Sequence, residues 1–246
     1  MSKHRNDIYG DASKDHEKEA DAPPAIPAAT VLLLREHEKR PEVLMLHKNS
    51  KIAFGGMWVF PGGRIDPEDY SGADDDNAAA RNAAVRETHE EAGIRIPHHD
   101  FVYFAHWTPP PSTPKRFSTW FFATSTEDDH DIVIDDGEIK DHQWINPARA
   151  LEQHAAGEVD LAPPTWISLY HLSRYSGVPE VLEGLGRQPP RHYQTRIVTG
   201  QDGTRIAMWE GDSGYDTWDA SLEDQTHRLV MRPGGFEFLH SAVDYD

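Results

Sequence analysis

From Ala29 to Glu36 the stretch ATVLLLRE gathers apolar residues, polar residues follow, and PEVLMLHK gathers them again from Pro41 to Lys48. Two short apolar runs split by EHEKRP predict a pair of strands joined by a turn. After the more polar NSKIAFGG, MWVF (57–60) is a third strand candidate, closed where PGG forces a turn. From about Asn77 the pattern changes to NAAARNAAVRETHEEAGI, rich in Ala, Arg and Glu, which predicts a helix stopped at Gly93. FVYFAHWT and RFSTWFFATS flank the loop PPPSTPK and predict aromatic strands, and HQWI predicts another. NPARALEQHAAG and PPTWISLYHLSRYSG predict helices, the second opened by prolines at its first turn.

Beyond about Pro179 the sequence TRIVTGQDGTRIAMW reads as two strands around GQDG, and THRLVMRPGGFEFL continues the β pattern. Strands, helix, strands, helices is the order of an α+β protein. Residues 1–27 mix both charge signs, hold almost no large apolar side chains and end in a proline-rich stretch, so a mobile tail is expected there. The expected organisation is a tail (1–27), a main domain (28–178) and a small β-rich extension (179–246).

Composition narrows the chemistry. A chain of 246 residues can bury a proper core. It has no cysteine, which excludes disulfides, thiolate metal sites and a cysteine nucleophile. No run of about 18 apolar residues could cross a bilayer, and the N-terminus is charged where a secretory signal would be apolar. No membrane partner and a cytoplasmic location are therefore expected. Lys and Arg total 24 against 42 Asp and Glu, a formal charge of -18, which repels nucleic acid backbones. A small anionic substrate stays compatible with that charge if metal ions or a local basic patch cancel the repulsion at the site.

The candidate chemistry is concentrated in RETHEEAG, Arg86 to Gly93. On a helix Glu90 and Glu91 lie three and four positions after Glu87, so the three carboxylates share one face. Ala78, Arg81, Ala84, Val85, Thr88 and Ala92 cluster on a different side, four of the six apolar, that can pack on a core while the carboxylates face outward. Three like charges this close disfavour the helix unless something positive sits among them. Magnesium or manganese suits oxygen ligands, and Arg86 can pair with one carboxylate. An arbitrary acidic helix face in so acidic a chain is usually just solvated, but FPGG upstream supplies a turn where backbone can approach a metal or phosphate without a Cβ intervening. His89 points away from Glu87 and Glu91, HEEAG lacks the second histidine of a zinc HExxH motif, and Asp74 to Asp76 suit a flexible acidic loop or a helix cap. Trp58, Phe60, Trp120 and Phe121 are expected in the core.

FPGGRIDPED, AAVRETHEEAGI and HQWINPARAL together resemble the Nudix hydrolases, whose signature is Gly-x5-Glu-x7-Arg-Glu-U-x-Glu-Glu-x-Gly-U with U aliphatic. Arg86, Glu87, Glu90, Glu91, Gly93 and Ile94 fill the expected slots, with Thr88 at the first aliphatic one. Gly63 takes the opening glycine and Asp69 stands where the first glutamate would, followed by about nine extra residues, YSGADDDNA. The resemblance covers roughly residues 28–178. HWTPPPSTPKRFSTWFF and LAPPTWISLYHL are similar to the branch of coenzyme A diphosphatases of the mammalian peroxisomal type, although HKNSKIAFGGMWVFPGG lacks the arginines of the usual coenzyme A signature.

The resemblance implies a Nudix fold, a mixed sheet between helices, and hydrolysis of a nucleoside diphosphate linked to another moiety, with coenzyme A or acyl-CoA favoured. It implies Mg²⁺ or Mn²⁺ held by Glu87, Glu90, Glu91 and the Gly63 carbonyl, with Arg86 orienting Glu87. The general base would be a box glutamate or a carboxylate of a later loop, Glu138 first and Asp135 or Asp136 in reserve. Arg64, Lys115, Arg116 and Phe117 are the expected substrate contacts. The rival reading is a non-catalytic Nudix-fold nucleotide-binding or regulatory module, whose mark would be eroded box glutamates, and all three are intact. An isoprenoid diphosphate isomerase of this fold would need a cysteine. The extension suits either a cover for the site or a homodimer interface.

Overall fold

β1 (Ile26–His37) has seven consecutive buried residues, because it lies inside a sheet covered on both faces. Its period of two sends Leu32 and Leu34 into one core and Val31 and Leu33 into another. The computed structural model describes residues 9, 12, 15–19, 22–49, 54–97, 100–126, 131–134, 137–200, 202–232 and 234–245. Around β1 the sheet is mixed. β2 (Arg40–Lys48) and the short β4 (Gly62–Arg64) pair with it antiparallel, and β6 (Phe117–Ser125) pairs parallel. β3 (Trp58–Val59) and β7 (Ile139–Ile145) extend β2, while β5 (Val102–Thr108) lies antiparallel beside β6.

A 17-residue helix, α2 (Asp76–Ala92), covers one face with the alanines Ala79, Ala80, Ala83 and Ala84. Small side chains let its backbone sit close to β1 and β4. The other face carries α3 (Pro147–Ala155), α4 (Pro163–Leu172) and α5 (Val178–Gly186), whose apolar residues join Leu32 and Leu34. The expected α+β architecture, a mixed sheet between helices, is thus present. Among the described residues no helix is long and apolar enough to cross a membrane.

The expected β-rich extension is also present, as a second antiparallel sheet of β9 (Arg196–Thr199), β10 (Arg205–Met208), β11 (Arg228–Arg232) and β12 (Gly235–Leu239). The stretch after Pro179 does not begin with it. α5 comes first, and then β8 (Arg191–Gln194), which adds parallel to β5 at the edge of the large sheet. Pro179, Gly184 and Gly186 masked the helix in the sequence, and RHYQ has too little apolar patterning to signal a strand. The two sheets share one core: Trp107 of β5 stacks on Tyr193 of β8 at 3.7 Å, and both meet Trp209 edge-on. At the N-terminus, Tyr9 and Ala12 are buried in this same core, and α1 (Asp15–Lys18) forms a single turn. Glu19 pairs with Arg196 at 2.8 Å.

His227 shows how the extension is locked. It is 2% exposed, and its Nδ1 lies 2.7 Å from the Glu210 carbonyl, which can only accept, so Nδ1 donates. Nε2 then accepts from the Tyr245 hydroxyl at 2.7 Å, and Tyr245 accepts from Tyr193 at 2.8 Å. Burial holds this histidine neutral, lowering its pKa to about 4. The unfolded chain therefore binds the extra proton between about pH 4 and 6.5, so the contribution is complete above 6.5 and is lost as pH falls. Unfolding free energy should drop by about 3 kcal/mol more across that window in the wild type than in His227→Gln, measured by urea denaturation at a series of pH values. Parallel curves for the two proteins would refute the assignment.

Candidate active site

The site is built where α2 crosses β4. Asp75 caps the helix by accepting from the Ala78 amide at 2.8 Å, and Gly93 ends it in the left-handed region at φ 72°. Asp75 lies in the acidic run read as a cap. At β4, a Cβ on Gly63 would overlap the Glu87 carboxylate, so any larger residue here would push that side chain out of its place beside Arg86.

Arg86 anchors the arrangement. Its Nε and Nη2 reach the two oxygens of Asp69 at 3.1 and 2.9 Å, Nη1 donates to Glu87 and Glu90 at 3.0 Å each, and Nη2 also donates to the Arg64 carbonyl at 3.0 Å. Hydrogen bonding to Asp69, reinforced by Glu87, raises the guanidinium's pKa further above its ordinary value. Asp69 is buried and also accepts from the Asp66 amide at 2.8 Å, closing the short 3-10 turn Pro67–Tyr70. The residue in the first-glutamate slot of the motif thus acts on Arg86.

The three box glutamates do not share one exposed face, as the helix pattern predicts. The Glu90 side chain is 57% exposed, that of Glu87 16% and that of Glu91 5%. Glu91 is three residues after Thr88 and seven after Ala84, so it borders the buried stripe and turns inward. One of its oxygens receives Lys48 Nζ at 2.6 Å and the other the Gly62 amide at 2.9 Å. Burial raises the Glu87 pKa against the pull of Arg86, and burial raises that of Glu91 against the pull of Lys48.

These groups line a cleft of about 950 Å³ together with Gly63, Arg64, Glu138, Lys115 and Phe117. Phe60, Trp107 and Phe121 contribute apolar wall. Glu138 Oε2 is 3.7 Å from Lys48 Nζ. Phe54 lies 6.3 Å from Phe117 between ring centres, and Lys115 Nζ stands 5.2 Å from the Phe117 ring. Arg116 is not brought to the cleft: its guanidinium donates to the backbone carbonyls of Pro23 and Pro109. His89 is exposed, Phe60 and Phe121 are buried, and Trp58 and Trp120 are partly buried. Asp135 and Asp136 lie outside the described residues.

The donor chemistry suits a hard divalent cation, since three carboxylates and a glycine backbone line one cleft where buried negative charge calls for a positive partner. Among the described residues, however, no three His, Asp or Glu side chains stand close enough to close on one ion. Glu87 and Glu90 are turned to Arg86, and Glu91 to Lys48. Sequence reasoning missed Lys48 altogether; the available signal was a lone cation closing an apolar strand that leads toward FPGG.

A family model of the NUDIX domain matches residues 24–164. A putative nudix hydrolase 7 of Caenorhabditis elegans is 26% identical over 187 residues, covering 61% of this chain. The match spans 60% of that relative's own length. Among solved structures, a NUDIX hydrolase from Alicyclobacillus acidocaldarius superposes with a TM-score of 0.60 at 22% identity, covering 68% of this chain and 99% of the other.

Removing the carboxylate of Asp69 strands a half-buried Arg86, whereas Glu90 is a solvated partner. Asp69→Ala should lower unfolding free energy by about 2–4 kcal/mol and Glu90→Gln by less than about 1 kcal/mol, read by urea denaturation. Equal losses would show that Asp69 does not anchor Arg86.

Proposed function

The chain belongs to the Nudix family, and from that membership we propose that it is a metal-dependent diphosphohydrolase cleaving a nucleoside diphosphate linked to another moiety. The observation that carries this reading is the intact glutamate triad beside a glycine backbone in an open cleft. Glu87, Glu90, Glu91 and the Gly63 carbonyl are assigned as ligands of Mg²⁺ or Mn²⁺. A bound divalent ion supplies Lewis acidity toward diphosphate oxygens and makes a coordinated water more acidic.

The chain's own groups do the rest. Arg86, fixed by Asp69, holds Glu87 in place. Glu138, exposed at the cleft and able to receive a proton, is the assigned general base. Arg64 and Lys115 are assigned to phosphate and Phe117 to a planar group of the substrate. Coenzyme A or an acyl-CoA is the favoured substrate, a nucleotide sugar or dinucleotide the alternative. Supporting this, the two segments similar to the coenzyme A diphosphatase branch, 106–122 and 161–172, both contribute to the cleft wall through Trp107, Lys115, Phe117, Ala162 and Pro164. We further assign a cytoplasmic location and the division into tail (1–27), catalytic domain (28–178) and extension (179–246), the last lending α5 and β8 to the catalytic layer.

The test is a diphosphate panel of coenzyme A, NADH, ADP-ribose, nucleotide sugars and dinucleoside polyphosphates, run with Mg²⁺, Mn²⁺ or EDTA. Turnover should require the metal, and Glu90→Gln should lose on the order of 100-fold or more in kcat/KM with thermal unfolding unchanged. Wild-type rates in that variant would remove the ligand assignment. No turnover on any substrate would favour a binding module.

A further inference from the structure

Each box glutamate is matched by a cation of the chain itself, but the two cations are held very differently. Arg86 is fixed from several sides by Asp69 and the Arg64 carbonyl as well as by Glu87 and Glu90. Lys48, the last residue of β2, extends a single ammonium whose only side-chain partners among the described residues are Glu91 at 2.6 Å and Glu138 at 3.7 Å. Its side chain is 12% exposed and lines the cleft. An ammonium is a point charge on a flexible stem, unlike the forked guanidinium, and is the easier of the two to exchange.

Glu91 is nearly dry and accepts from the Gly62 amide through its other oxygen. A buried carboxylate left without a cation is strongly disfavoured, so the apo site needs an internal one. Two cations on the same oxygen would repel at short range. Resting on the metal-dependent reading above, we propose that Lys48 is an exchangeable counter-ion of the metal site. It holds Glu91 in place until a divalent ion arrives, which displaces the ammonium from Glu91 into the cleft. The displaced ammonium, still tethered to β2 beside Glu138, becomes a donor for a diphosphate oxygen. Lys48 is thus a positioning residue for the empty site and a phosphate contact for the loaded one.

The test reads metal binding rather than turnover. Mn²⁺ affinity of the full chain is measured by electron paramagnetic resonance and calorimetry at about pH 8, where solvated carboxylates are fully ionised. Lys48→Met should bind Mn²⁺ about tenfold more tightly than wild type, because no charge-assisted hydrogen bond has to be broken. Lys48→Arg, which can keep the pairing, should return affinity to the wild-type value or below. In wild-type protein the NMR signal of the Lys48 ammonium, identified by its absence in Lys48→Met, should move to a solvent-exposed position on titration with diamagnetic Mg²⁺. This readout holds even if the methionine variant unfolds on heating more easily than expected, since Lys48→Arg can then supply the assignment. If Mn²⁺ binds in a manner weakened by Glu90→Gln but equally well to wild type and Lys48→Met, or the ammonium signal stays put, the exchange is refuted and the metal site stands. If Mn²⁺ binding is absent or indifferent to Glu90→Gln, the metal reading falls and the exchange with it.

Discussion

Three carboxylates within five residues of one helix repel one another, and the structure depends on how the Arg86 guanidinium answers that repulsion. Its donors reach Asp69, Glu87, Glu90 and the Arg64 carbonyl, tying α2 to β4 and to the turn between them. A lysine could not do this, because one ammonium lacks the planar fork that reaches a carboxylate with two parallel bonds while serving other acceptors. The fixed guanidinium holds the Arg64 carbonyl of β4, and with it the Gly63 backbone close beside Glu87. Without that clamp the helix would carry a charge cluster with no defined geometry.

Much of this was legible because it follows local rules. The apolar runs gave β1 and β2, the Ala-rich stretch gave α2, and Asp75 and Gly93 bound that helix as cap residues should. What stayed hidden depends on tertiary contact. β4 is three residues of Gly-Gly-Arg that form a strand only because β1 offers its edge. β8 is a polar tetrapeptide that becomes a strand through Tyr193 stacking on Trp107. Glu91 looked like Glu87 and Glu90 on a helical wheel, yet a rotation of one residue carried it to the boundary of the alanine stripe, where Lys48 from another strand meets it. Arg116 looked like an obvious anion contact in an acidic chain, and its guanidinium is instead occupied by backbone carbonyls. A charge in a sequence has no direction until its neighbours are known.

The formal charge of -18 also acquires meaning from this arrangement. A cleft facing such a field would repel a diphosphate, yet Lys48, Arg64, Arg86 and Lys115 all line it. Asp66, Glu87, Glu90, Glu91 and Glu138 line it as well, so these cations alone do not reverse the local charge, and on the proposed reading a divalent ion tips the balance toward an anion. Over the distances between exposed surface carboxylates and the cleft, salt screens most of the opposing field.

On the proposed activity, selection among substrates falls to parts of the molecule that the glutamate box does not specify, because the triad and Gly63 would address only what all diphosphates have in common. Phe54 sits in the left-handed region at φ 59°, a conformation that costs a bulky residue about 1 kcal/mol or more, and its ring is 37% exposed at the cleft. Strain and exposure together are poor terms for stability, and both leave the Phe54 ring tilted beside Phe117 at 6.3 Å, with Lys115 close by. On the proposed activity the division of labour follows from chemistry: oxygen ligands and fixed cations would meet the diphosphate, and apolar and aromatic surfaces whatever it joins.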